Sequence, residues 1–538
     1  MRMIWKALAA AALILAAGCT QMRYVPVAGD PIIRVGILED QEAVYFEPAG
    51  DFSVVAYDEK ENFAALEKGL WKATVHSLLP GALTYQIQLY ESLDSDRAAE
   101  RAKALRGKGL AVTVKSQGEQ LQAGANKLID RIYHRVLLDR SFATTAEADR
   151  YLSANPALAQ GKVVRNMDDV VMGKIALQTP QGRTIILTQA LRLTGANMTL
   201  RDVEVGSGYH WARNEARTYG GEMELRINAR GKLTAINVVP LELYLRGVVA
   251  GEMANSFPEE ALKAQAIISR TMFLYSFGRF HRGAEFDVCD DVHCQAYIGI
   301  GKNSEAVDKA VHDTKGLALT YKDALCSASY SAMCGGHTAS ASDVWDSDGE
   351  PYLTGRLDTP TDIGQLDLTR EDNLRVWVNS RPEVCCNLES AGNPDFGRYA
   401  EKYFRWEQRI ARTDLEKTIA AYAGTSIGQL VDIVPLERGT SGRLISINCV
   451  GTEESVTIRK ELNIRRALSR STLYSACFTI EKEGVKEGLA ETFLFRGAGW
   501  GHGVGLCQLG AAARALRGST VSEILKYYYP GTQIKQLY

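Results

Sequence analysis

The sequence predicts an α+β protein with more than one domain. Three observations point there. At 538 residues the chain is too long for one ordinary hydrophobic core. Residues 31–57 and 160–237 alternate apolar and polar positions between glycine turns, the pattern of a β-rich subdomain. From Val238 to Thr271 the apolar period becomes helical, and this stretch organises the rest.

The start of the chain reads as an export signal. Arg2 and Lys6 precede the apolar run Ala7–Ala17, which is too short to span a bilayer and ends at Gly18-Cys19. Residues 1–19 are therefore expected to form a signal peptide. The ending AAGC resembles a bacterial lipobox, which would lipidate Cys19 and anchor the chain to a membrane. Ala16 stands where a lipobox usually has Leu, so a plain signal peptide with a chance cysteine is the other reading. The whole chain is 46% hydrophobic and 23% charged with net charge −2, so nothing global points to nucleic acid. Removing Cys19 from the ten cysteines leaves an odd number. Export permits disulfides, but at least one thiol must stay free or bind metal.

Residues 20–82 read as a tether and an N-terminal β segment opening on IIRVGIL. Residues 83–155 change character. Strand YQIQLYES, helix Ser95–Leu105, strand LAVTVKSQ, strand DRIYHRVLLDRSF and helix Thr145–Ala154 form a βαβ module of the ferredoxin-like kind. The pattern resembles a SPOR domain, a module that binds glycan strands stripped of peptides; a family-specific insertion is the alternative. Strand alternation predicts one face with Gln86, Gln88, Tyr90, Tyr133 and Arg135, open to bare sugars. Ile87, Leu89 and Val136 would line the core beneath.

The organising stretch reads VVPLELYLRGVVAGEMANSFPEEALKAQAIISRT. Strand Ile236–Pro240 leads to a helix with Leu241, Leu245 and Val248 on one face. Gly251-Glu252-Met253 should interrupt it, and Ser256 with Glu259 should form a capping box for the next helix. Lys263 and Arg270 are two turns apart on that second helix, so both can share a face. Glu252 is then a carboxylate in a break beside two cations, either a site or an ordinary surface acid.

Three further segments carry chemistry. CDDVHCQAY places Cys289, His293 and Cys294 in one loop with His281 upstream, a donor set suited to zinc or, through the two cysteines, to a disulfide. SASYSAMCGGHTASASDVW joins a strand to a glycine turn. GWGHGVGLCQLGAAA surrounds His502 with glycines and puts Gln508 in the first turn of a helix. No Walker-type lysine follows, so a phosphate loop is discounted. Trp345 reads as a core plug.

The run LELYLRGVVAGEM with EEALKAQAIISRT closely resembles the signature of the SpoIID/LytB family, whose catalytic members are peptidoglycan lytic transglycosylases. The resemblance covers residues 31–80 and 160–538 and implies a SpoIID-like catalytic domain over 160–538. It places the family's essential glutamate on Glu252 and its cationic pair on Lys263 and Arg270. It implies a structural zinc held by His281, Cys289, His293 and Cys294. It implies substrate contacts from Tyr330, Ser331, Thr338, His502 and Gln508, although Ala332 occupies the family's usual Ser position. One Glu suffices for that reaction, because the sugar's own 6-hydroxyl is the nucleophile. A hydrolase would need a second carboxylate, for which Asp287, Asp290, Asp291 and Asp343 are candidates. Some LytB-like members instead bind wall glycan without cleaving it and enhance an amidase. Glycan strands, an amidase and the membrane are thus the expected partners.

Overall fold

The computed structural model describes residues 29–538, apart from 57–61, 66, 80–82, 167–170, 361–363, 365 and 393–394. The signal segment and Cys19 lie outside the described residues. Helices and strands are mixed throughout, as an α+β chain requires.

Two antiparallel-dominated sheets form the β-rich subdomain. A seven-stranded sheet runs Val288–Cys289, Ile32–Gln41, Leu233–Pro240, Glu222–Ile227, Ala190–Thr194, Phe52–Ala56, Asn62–Ala65. A six-stranded sheet runs Thr184–Leu187, Gly173–Gln178, Trp71–Leu78, Ala43–Pro48, Met198–Val205, Arg213–Tyr219. Alternate residues such as Ile33, Val35, Val44, Phe46, Leu191, Leu193, Leu225 and Ile236 are fully buried. Each such side chain contributes about 1.5–3 kcal/mol of burial.

The insertion is placed by a hairpin. Leu78 pairs with Gly173, and the Leu79 N–H donates to the Met172 carbonyl at 2.8 Å. The chain therefore leaves and re-enters the sheet at adjacent points, so the insertion does not disturb the sheet's pairing. Between these points lie strand Tyr85–Ser92, helix Ser95–Gly107, strands Val112–Ala123 and Asn126–Leu138, helix Thr145–Ala154 and strand Lys162–Arg165. Their sheet order is second, third, first, fourth. The unit thus takes in a strand beyond residue 155, because Lys162–Arg165 pairs with Tyr85–Gln88. It has its own core around Ile87, Ala98, Ala102, Val136 and Phe142.

Its open face differs from the sequence expectation in three ways, the first being that Gln86 and Gln88 are themselves buried. A bulge between Gln88 and Tyr90 shifts the register, so Tyr90 pairs with Val136 and joins the core. Tyr133 is buried, its hydroxyl donates to the Gly278 carbonyl at 3.0 Å, and the Arg282 guanidinium lies 3.9 Å over its ring. Arg135 is bound to Glu91 and Gln117. The face expected to meet sugars is docked on the turn after Ser276.

Helix Leu241–Glu252 starts directly from strand Leu233–Pro240, and helix Glu259–Ser276 runs through the middle of the molecule. The second helix begins after Pro258 with no side-chain cap, so the predicted Ser256 capping box does not form. Its alanines (Ala261, Ala264, Ala266) are fully buried and let neighbouring helices approach closely. Residues 405–498 hold a separate core around Trp406, Leu415, Ile447, Phe478 and Phe495, which a single catalytic domain over 160–538 did not anticipate.

Arg270 is 0% exposed and bonds Glu242 through Nε at 2.8 Å and Nη2 at 2.6 Å. The Tyr538 hydroxyl also donates to Glu242. This buried pair ties both helices to the last residues of the chain. Glu242→Ala leaves the guanidinium uncompensated and is expected to destabilise the protein by about 3–5 kcal/mol in urea unfolding, with a smaller loss for an exposed pair such as Lys309–Glu259.

Candidate active site

Glu252 ends its helix, and the break expected around it follows at Met253. The helix can pass close to the loop at 295–299 because it carries glycines there. A Cβ on Gly251 would lie 2.6 Å from the Ala296 carbonyl, and one on Gly247 would lie 2.5 Å from that of Gly299. Close passage brings the Ala296 N–H to Glu252 Oε1 at 2.9 Å.

Two more donors arrive from distant segments. The Tyr330 hydroxyl lies 3.0 Å from Oε1, and Gln508 Nε2 lies 3.4 Å from Oε2. Tyr330–Ser331 and Leu506–Cys507 are paired as a short parallel ladder, which sets both donors at one height. Behind them Gln508 also donates to Gln265 Oε1 at 3.2 Å, and Gln295 Oε1 lies 3.2 Å from the Tyr330 hydroxyl. Glu252 is half-buried. Burial raises its carboxyl above the ordinary value, and the hydrogen bonds from Ala296, Tyr330 and Gln508 only partly oppose this. No cation contributes. The group is thus a carboxylic acid with elevated proton affinity, suited to general acid and then base work.

The structure separates the other expected residues. Tyr330 and Gln508 meet Glu252. Lys263 does not: it pairs with Glu259 at 2.7 Å and Glu260 at 3.2 Å on its own helix. Arg270 is sealed against Glu242 and is unavailable to any ligand. Ser331 alternates away from Tyr330, and its buried Oγ has no partner among the described residues. Thr338 is buried and exchanges hydrogen bonds with the Arg356 backbone. His502 is held by backbone: Nδ1 accepts from the Val504 N–H at 3.0 Å, and a hydrogen bond to the Tyr330 backbone supports the ring. Burial lowers its pKa to about 4, so it stays neutral and positions the loop. Trp345 is 38% exposed, 5.1 Å from the His502 ring, and does not plug a core. Asp287 accepts from the Arg34 N–H, Asp290 pairs with Arg217, and Asp291 accepts from the Gly206 N–H. Asp343 lies against Gly439. None joins the network of Glu252.

Sequence reasoning missed an aromatic shelf. Trp500, from the glycine loop, lies 4.3 Å from Tyr403 and 5.6 Å from Trp211 between ring centroids. His210 joins them through a 2.9 Å hydrogen bond to the Tyr403 hydroxyl. Tyr399 meets Trp500 edge-on, stands 46% exposed, and feels the charge of Glu252. The five residues come from three segments, 210–211, 399–403 and 500, so no short motif signals them.

Immediately before Gln295 and Ala296 lies the Cys/His loop. The ligand atoms of His281, Cys289, His293 and Cys294 all lie within 4.8 Å of one another. His281 Nε2 is 3.2 Å from Cys294 Sγ, and both cysteines are free thiols. His281 has φ 51°, a left-handed conformation uncommon outside glycine, which aims its ring at the sulfurs. Two thiolates and two imidazoles fit a structural zinc.

A half-buried acid is thus held by three chain segments beside an aromatic shelf. Comparison with known proteins gives the class of protein. Residues 229–321 match the Stage II sporulation protein family model, and 339–505 match a domain of unknown function (DUF8618). The chain is 29% identical over 311 residues to the amidase enhancer of Bacillus subtilis, covering 54% of this chain and 40% of that protein. It is 30% identical over 323 residues to an uncharacterized protein of Brachyspira hyodysenteriae, covering 60% and 73%. It is 27% identical over 319 residues to Stage II sporulation protein D of Bacillus subtilis, covering 56% and 76%. The chain belongs to the SpoIID/LytB family.

Tyr330→Phe removes a donor that stabilises ionised Glu252. A reaction that starts from the protonated acid loses rate as pH rises through the Glu252 pKa. The alkaline limb of kcat/KM is therefore expected to move to higher pH in Tyr330→Phe, and an unmoved limb would remove Glu252 from the acid role.

Proposed function

We propose that the protein is a peptidoglycan lytic transglycosylase that cleaves the MurNAc–GlcNAc bond and leaves 1,6-anhydro-MurNAc ends. The observation that carries this is Glu252, whose proton affinity burial raises, with no second carboxylate in its hydrogen-bond network among the described residues. Glu252 donates its proton to the glycosidic oxygen as the bond from C1 breaks. The resulting carboxylate takes the proton of the muramic 6-hydroxyl as that oxygen closes on C1. Tyr330, Gln508 and the Ala296 N–H stabilise the carboxylate between the two steps. Trp500, Trp211 and Tyr399 offer ring faces and edges to the sugars.

A zinc ion held by His281, Cys289, His293 and Cys294 would supply rigidity rather than chemistry, because its loop leads directly into Gln295 and Ala296. Cys289→Ser is expected to lower zinc content by about one ion per chain in elemental analysis. Undiminished zinc, or a mapped Cys289–Cys294 bridge, would dismiss this site. The apolar run Ala7–Ala17 and relatives named amidase enhancer and Stage II sporulation protein D support work in the bacterial envelope, with Cys19 as a lipid anchor. The strand order of residues 85–165 supports a ferredoxin-like, SPOR-like fold. Because its sheet face is docked, peptide-free glycan is assigned to the Glu252 site instead.

The name of the Bacillus subtilis relative favours a second reading, in which the Glu252 site binds glycan and assists an amidase without cleavage. One experiment separates the two. Digestion of purified glycan should give anhydro ends by mass spectrometry, and Glu252→Gln should lower the rate by about 10²–10⁴-fold while preserving glycan binding. Intact glycan, with an added amidase stimulated equally by both proteins, would establish the second reading.

A further inference from the structure

A second sulfur cluster lies on the other side of the Tyr330 ladder. Cys334, Cys386 and Cys507 are buried, and their sulfurs lie within 4.8 Å of one another. They come from three segments: the strand after Tyr330, the Cys385-Cys386 pair, and the residue before Gln508. All three remain thiols.

The spacing is informative. Cys334 Sγ and Cys386 Sγ are 3.7 Å apart. Two sulfurs on one tetrahedral zinc, each at about 2.3 Å, are separated by about 3.8 Å. A disulfide would need about 2.05 Å. Asp358 Oδ2 stands 3.6 Å from Cys334 Sγ. That carboxylate neighbours Cys334 and is not part of the mutually close donor group, which is the three sulfurs.

Backbone donors reach two of the three sulfurs. Cys507 Sγ accepts the N–H of Cys334 at 3.2 Å and of Gly510 at 3.3 Å, the latter in the first turn of helix Gln508–Leu516. Cys334 Sγ accepts the Gly336 N–H at 3.4 Å. Backbone donors on sulfur stabilise metal-bound thiolates. Asp358, beside Cys334, is itself held by Arg514 at 2.8 Å and the Tyr528 hydroxyl at 2.8 Å. Arg443 binds the Cys334 carbonyl and Arg405 the Gly335 carbonyl, which adds positive charge around the cluster. Three thiols around one point cannot all pair among themselves, whereas one ion satisfies all three.

We propose that Cys334, Cys386 and Cys507 form a second zinc site, three thiolates around one ion, which fixes the Tyr330 and Gln508 donors of Glu252 from behind. The site is independent of the loop quartet and of the reaction assigned above.

The test uses the full chain, equilibrated with zinc and dialysed. A Cys289→Ser/Cys294→Ser variant disables the loop quartet and should retain about one zinc ion per chain. Adding Cys386→Ser should remove that ion. Cobalt(II) offered to the loop variant should give the intense near-ultraviolet thiolate charge-transfer bands and visible bands of a tetrahedral site. This readout stands if the Cys386→Ser chain fails to fold. A loop variant without zinc or thiolate–cobalt bands, zinc that survives Cys386→Ser, or a Cys334–Cys386 or Cys386–Cys507 bridge in peptide mapping would each overturn the site.

Discussion

The structure depends on keeping one carboxylate in one place while denying it a counter-cation. Glu252 takes hydrogen bonds from residues 44, 78 and 256 positions away along the chain. These bonds fix its orientation, but being uncharged donors they leave its proton affinity above that of a free glutamate. A lysine or arginine at the same distance would have reversed the sign of the shift. The fold accordingly turns its nearest cations elsewhere. Arg270 is neutralised inside by Glu242, and Lys263 by two acids on its own helix. Their role is to keep two helices packed, not to touch a ligand.

The inserted unit follows the same logic at a larger scale. Its two ends meet at one hairpin, so the subdomain sheet tolerates it. Its hairpin then reaches back: Leu121 and Ile129 join the main core, and Tyr133 and Glu91 grip the turn at Gly278 and Arg282. His281 lies inside that turn. The unit thereby braces a residue whose left-handed backbone has no glycine to relieve it.

Much of this was legible in the sequence. The strand-to-helix passage at Pro240, the β-rich halves, the insertion and the grouping of Cys289, His293 and Cys294 all follow from local period and spacing, whereas His281 joined that group by resemblance. Tyr330 and Gln508 were legible only by resemblance, because nothing local ties them to Glu252. The failures share a cause. Helical spacing put Lys263 and Arg270 on one face but could not say that Glu242 lay opposite. Strand alternation put Tyr90 outside, and a bulge two residues earlier turned it in. Thr338 and Ser331 lie beside the site in sequence pattern, yet their hydroxyls face backbone or closed packing. The aromatic shelf and the cysteine trio are built from residues far apart in the chain, and spacing carries no signal for such a cluster.

One regularity connects the two sulfur clusters to the carboxylate. Each donor to Glu252 is a near neighbour of a cysteine in one of them. Ala296 follows Cys294 by two residues, Gln508 follows Cys507 directly, and Tyr330 precedes Cys334 by four. A hydrogen-bond donor on a loop loses its geometry when the loop moves by a fraction of an ångström, and glycine-rich segments such as 499–505 offer little resistance of their own. Backbone anchored to an inorganic centre is stiffer than backbone anchored by side-chain packing alone. On this view the cysteines contribute nothing to the chemistry of bond cleavage. They hold three flexible segments at fixed distance from an acid whose usefulness depends on those distances.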